Sequence, residues 1–103
     1  MQTETSDEHL QLKMEEDILS SNVEKLLKLA KDTIYASQDS IADISVDLSK
    51  VSTIDSQGLN FLVGLYQECQ GNGWGFQVTG ASPALKRLFH FVKLNERFGI
   101  QTS

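Results

Sequence analysis

The 103-residue chain is long enough for one compact domain and too short for two. Its 9 Lys and Arg against 14 Asp and Glu leave a formal charge of −5, which excludes the basic face of a nucleic-acid binder and fits a soluble cytoplasmic protein with a basic partner. One cysteine, Cys69, excludes an internal disulfide and any multi-cysteine metal site, and no apolar run approaches the roughly 20 residues of a membrane span.

In chain order, residues 1–8 are polar and acidic and read as a flexible tail, with the domain proper spanning 9–103. From His9 to Met14 the residues Leu10, Leu12 and Met14 alternate with Gln11 and Lys13, which predicts a strand. Val23, Leu26, Leu27, Ala30 and Ile34 recur at helical spacing over 22–36, with Ser20, Ser21 and Asn22 as candidate caps and Glu24 near the positive end of the dipole. Ile44, Val46 and Leu48 alternate with Ser45, Asp47 and Ser49 in a second strand. A helix over 56–70 places Leu59, Leu62, Val63 and Tyr66 on one stripe, widened by Phe61 and Leu65, and stops at Gly71-Asn72-Gly73. Phe76 and Val78 mark a third strand. Ser82-Pro83 opens a last helix to residue 92 with Leu85, Leu88, Phe89 and Val92, and Gly99-Ile100 begins a short final strand.

The strands share one property. A parallel sheet covered on both faces reads as continuous Val/Ile/Leu runs, whereas a sheet covered on one face alternates. All three clear strands alternate, so the expected architecture is α/β, with the helices on one face of the sheet. A doubly wound arrangement is the weaker alternative.

The stretch STIDSQGLNFLVGL, residues 52–65, lies where the second strand gives way to its helix. Asp55 reads as an N-cap, with Ser56 and Gln57 in the first turn. Gly58 is the anomaly, because glycine inside a helix is less favourable than alanine by roughly 1 kcal/mol. It is accounted for where another backbone or a partner must come close to the helix start. On the partner reading, Gly58→Ala leaves stability unchanged or higher and lowers affinity. A helix N-terminus also accommodates a phosphate on Ser56.

The segment from Asp47 to Phe89 resembles a STAS domain, in particular a bacterial anti-sigma factor antagonist. The matching pattern is a hydrophobic strand, then Asp55, Ser56, Gly58 and Leu59, a helix, Gly73 before a strand, then Ser82, Pro83 and the run LKRLF at 85–89. The resemblance extends over about residues 9–100 and implies a STAS fold, a mixed sheet with its helices packed on one face. It implies that Ser56 is phosphorylated by a partner anti-sigma kinase, with a PP2C-type phosphatase reversing the modification. It further implies a partner surface made by Thr53, Asp55, Ser56, Gln57, Gly58 and Asn60, with Asp17. MEEDILSS replaces the family's Gly-Glu-Leu-Asp element, and Asp17 is the counterpart of its aspartate; Gln57 stands where the family prefers a small residue. The family expectation is a cytoplasmic protein, monomeric when free, with no cofactor, metal, nucleic acid or membrane insertion. Its alternative is a non-phosphorylated scaffold subunit, as in bacterial lipid-transport ABC complexes or sensory assemblies.

Nothing in the sequence points to catalysis. Ser56 lacks the Gly-x-Ser-x-Gly setting of a nucleophile elbow. His9 and His90 read as surface or cap residues, and Cys69 as a packed thiol.

Overall fold

A computed structural model of the chain describes residues 1–94 and 97–99. Four strands and three helices follow in the order β1 (Gln2–Ser6), β2 (His9–Lys13), α1 (Val23–Ala36), β3 (Asp43–Asp47), α2 (Ser56–Asn72), β4 (Gly75–Thr79) and α3 (Pro83–Phe91). They form one sheet of order β1-β2-β3-β4, in which β1 is antiparallel to β2 and the other neighbours are parallel.

This order dictates where the helices go. Parallel strands joined in sequence need crossovers, and crossovers are right-handed almost without exception. Two right-handed crossovers stepping the same way across the sheet put α1 and α2 on the same face. The register agrees with this. Leu10, Ile44 and Phe76 stand in one row and Leu12, Val46 and Val78 in the next, all on the covered face. The opposite face carries His9, Asp43 and Gly75, then Gln11, Ser45 and Gln77, then Lys13, Asp47 and Thr79. Leu10, Leu12, Ile44, Val46 and Val78 join Leu26, Ala30 and Ile34 of α1, Phe61, Leu62 and Leu65 of α2, and Leu85 and Phe89 of α3 in one core. The expectation from alternation holds.

Helix boundaries follow local chemistry. The Asp55 carboxylate accepts the Gly58 N–H at 2.9 Å and starts α2. Gly73, at φ 75°, ends it in the left-handed conformation, with the Trp74 N–H donating to the Cys69 carbonyl at 2.9 Å. Ser82 Oγ accepts the Leu85 N–H at 3.2 Å, with Pro83 in the first turn of α3.

Two expectations need correction, and a third falls partly outside the described residues. Residues 2–6, read as tail, form edge strand β1, joined to β2 by a two-residue turn at Asp7 and Glu8. Every residue of β1 is exposed, so it carries no hydrophobic pattern to betray it. In α2 the inward stripe is Gly58, Phe61, Leu62, Leu65 and Cys69; Leu59, Val63 and Tyr66 flank it and are half-buried. The expected strand at Gly99-Ile100 lies partly outside the described residues. Phe98 is nonetheless buried against Phe76 and Phe89, and its carbonyl accepts the Val78 N–H at 2.7 Å on the outer edge of β4.

Candidate functional site

The loops after β2 and β3 leave from the same end of the sheet, and a parallel bridge between Ile18 and Ile54 carries the pairing past the strand ends. The Ile18 N–H donates to the Thr53 carbonyl and the Asp55 N–H to the Ile18 carbonyl, each at 3.3 Å. Two carboxylates complete the seam. Asp17 Oδ1 accepts the N–H groups of Ser52 at 2.7 Å and Thr53 at 3.1 Å. Asp55 faces the other way, its Oδ2 accepting the Ser20 N–H at 2.8 Å while its Oδ1 caps α2. The Asn22 side chain joins in, donating to the Asp17 carbonyl at 2.7 Å and accepting the Leu19 N–H at 2.9 Å, although it makes no side-chain cap on α1.

Asp55 is therefore held by two elements at once. The Ser20 N–H, then the Gly58 N–H, hold its carboxyl below the usual carboxylate value, and partial desolvation opposes them only in part.

Against that seam, Ser56 is the first residue of α2 and is exposed, as are Thr53, Gln57 and Asn60. Those four side chains form the surface. Asp17 and Asp55 are half-buried and hold it in shape. Ser20, expected only as a candidate cap of α1, and Ser52, not singled out from the sequence, are exposed on its border. Their link to the site is a backbone N–H, which leaves no trace in side-chain identity.

Gly58 departs from the partner reading. It is buried, and a Cβ built on it would overlap the Ile18 carbonyl oxygen and lie 2.6 Å from Ile54 Cγ2. The close approach that calls for glycine is made by the chain's own backbone. Gly58 thus belongs beneath the surface, not on it.

A second polar cluster lies on the uncovered face of the sheet. His9 Nδ1 is bonded to Asp43 Oδ1, and His9 Nε2 lies 2.8 Å from Ser45 Oγ. This Asp-His-Ser line follows from the parallel register of β2 and β3, which sets His9 opposite Asp43. Ser45 is only 2% exposed, so its hydroxyl lacks the access a nucleophile needs, and the line reads as satisfaction of a buried polar residue. His90, in contrast, is exposed in the last turn of α3. Cys69 is fully buried; burial, with Glu68 adding to it, pushes its thiol up to about 11. Among the described residues no group of three or more His, Cys, Asp or Glu could hold a metal ion, and no helix is long and apolar enough to cross a membrane.

A four-stranded mixed sheet, helices on one face and a capped Asp-Ser helix start define a STAS-type domain. Residues 1–102 match the family model described as "Mlab, STAS domain", and the chain belongs to that family. Solved structures share the fold. A candidate anti-sigma factor antagonist from Thermotoga maritima is 19% identical, with a TM-score of 0.87 covering 99% of this chain and 86% of that one. An anti-sigma factor antagonist from Mycobacterium paratuberculosis is 24% identical, with a TM-score of 0.82 over 99% and 84%. The Bacillus cell-fate determinant SpoIIAA in its phosphorylated form is 19% identical, with a TM-score of 0.72 over 99% and 91%.

Proposed function

We propose that this protein is an anti-sigma factor antagonist-like switch whose α2 start docks on an ATP-binding anti-sigma kinase and is released when Ser56 is phosphorylated. The observation that carries this reading is the exposure of Ser56 at the first position of a helix whose capping carboxylate is immobilised beside it. In the unmodified state Thr53, Ser56, Gln57 and Asn60 offer a polar, nearly rigid surface, and docking frees the sigma factor that the kinase holds. Phosphorylation adds roughly −1.5 to −2 charges next to Asp55. Within the domain that charge is tolerated, because the first-turn N–H groups have no intrahelical acceptor and the dipole is positive there. A partner surface that must desolvate it loses affinity, with no large change of fold. The acidic balance of the chain fits a basic partner surface, and a PP2C-type phosphatase would reset the switch.

The second reading is a constitutive STAS subunit that grips a partner ATPase without modification, as in lipid-transport ABC complexes. The description of the matching family model favours it. One experiment separates the two. The chain is incubated with ATP and the candidate kinases encoded beside it, and the phosphosite is mapped by mass. The switch predicts phosphate on Ser56, none on Ser56→Ala, retained binding by Ser56→Ala, and binding by Ser56→Asp weaker by roughly 1–3 kcal/mol. Stable binding to an ATPase with no phosphate on Ser56 overturns the switch in favour of the scaffold.

A further inference from the structure

An open groove of about 290 Å³ runs between α1 and α2, with Val23, Leu27 and Phe61 in its floor and Gln57 and Asn60 in its wall. Both helices connect the carboxyl end of one parallel strand to the amino end of the next, so they run the same way and start side by side. The groove therefore begins beside Ser56. From Gln57 to Glu68 it follows α2 for about 16 Å, three helical turns. Gln57 and Asn60 belong to the groove and to the Ser56 surface alike, which makes the two one continuous patch.

Gly64 lines this groove in the middle of α2, where glycine weakens a helix relative to alanine. Nothing among the described residues calls for it. Gly64 is exposed, and a Cβ there would meet no atom within 4 Å, in contrast to Gly58. What a side chain at 64 would fill is the groove itself. The charges are also placed. Glu24 stands at the end nearest Ser56, while Lys31 and Glu68 line the far end and offset one another.

Resting on the reading that the α2 start is a docking surface, we propose that this groove receives a short amphipathic helix of the same partner, its apolar side chains over Val23, Leu27 and Phe61 and a lysine or arginine of its first turn against Glu24. An apolar helix face laid in a groove between helices is a recurrent mode of recognition. It would supply affinity that a small polar patch around one serine lacks. Phosphorylation at the mouth of the groove would then act on an already anchored partner.

The test has two arms. In the first, the probe is a synthetic three-turn helical peptide with leucines on one face and a lysine in its first turn, titrated into the whole protein by NMR. Shifts are expected at Val23, Leu27, Asn60, Phe61 and Gly64, with binding at least tenfold weaker to Gly64→Leu. Glu24→Lys should weaken the lysine peptide and strengthen its glutamate counterpart, a readout that survives if the leucine disturbs packing. Shifts mapping elsewhere, or wild-type affinity in both variants, overturn the proposal. In the second arm the probe is the full-length ATP-binding protein found to bind the chain. Loss of affinity with Gly64→Leu supports the groove whether or not Ser56→Asp also weakens binding. Sensitivity to Ser56→Asp with indifference to Gly64→Leu and Glu24→Lys overturns the groove and leaves the switch standing.

Discussion

Replacing Gly58 with alanine adds one methyl group to the first turn of α2, and that methyl points into the Ile18 carbonyl with Ile54 Cγ2 only 2.6 Å away. In an open helix the change would stabilise by about 1 kcal/mol. Here it forces the Ile18 backbone or the helix start to move. Overpacking of this kind costs roughly 1–3 kcal/mol. The movement also strains the Asp55 N–H to Ile18 carbonyl bond and the Ser20 N–H to Asp55 bond, now 3.3 and 2.8 Å, which are each worth about 0.5–1.5 kcal/mol. The net expectation is a loss of about 1–3 kcal/mol. For a domain of this size that lowers Tm by roughly 5–20 °C. The assay is thermal unfolding followed by circular dichroism, with Gly64→Ala as the internal comparison. Gly64 lies in the same helix with open space around it, so its alanine variant should gain about 0.5–1 kcal/mol. A Gly58→Ala protein that melts at or above the wild-type temperature would refute the account of the seam.

Leu62 is fully buried, so Leu62→Ala is expected to lose about 2–5 kcal/mol in urea unfolding, whereas Ser56→Ala, exposed and relieved of capping by Asp55, should lose under about 1 kcal/mol. Asp17→Ala removes the acceptor of the Ser52 and Thr53 N–H groups and should destabilise by roughly 1–3 kcal/mol in the same assay, with hydrogen exchange quickening at those two amides. The folded-state pKa of Asp55 lies below its unfolded value, so its contribution is present above about pH 4 and is lost as the pH falls through the folded value. Asp55→Asn should accordingly flatten the acid limb of a stability-against-pH curve, and an unchanged limb would refute that assignment.

The strands β2, β3 and β4 and all three helices are legible because each presents an apolar face at its own period, and Ser82-Pro83 and Gly73 punctuate the helices with residues suited to caps. β1 is not, since a strand exposed on both faces owes its existence to the free edge of β2. Its signals are subtler: Thr3 and Thr5 favour extended backbone, and Asp7 and Glu8 take positive φ of 49° and 68° in a tight hairpin turn without the usual glycine. In α2 so much of the circumference is apolar that periodicity admits two overlapping stripes. The true one is marked by Gly58 and Cys69, which weigh little in any hydrophobic pattern. The site divides in the same way. Asp55 and Ser56 are readable as a capped helix start because a cap is local. The meaning of Gly58 depends on Ile18, and that of Asp17 on Ser52 and Thr53, and each of these pairings spans more than thirty residues.

The seam at Ile18 and Ile54 also gives the molecule two unlike ends. Where β2 and β3 finish, the two loops are sewn together by backbone and carboxylate bonds, and a change in the length of either displaces the other. At the opposite end, Gln38, Asp39 and Ser40 after α1 and the close of α2, Gly71 and Asn72 with the cap Gly73, are exposed, and among the described residues nothing stands where a side chain on Gly71 would go. Insertions belong there. A fluorescent reporter or a second domain spliced between Gln38 and Ser40 would leave the sewn Ser56 end untouched, so the protein keeps one end fixed in shape and offers the other as a handle.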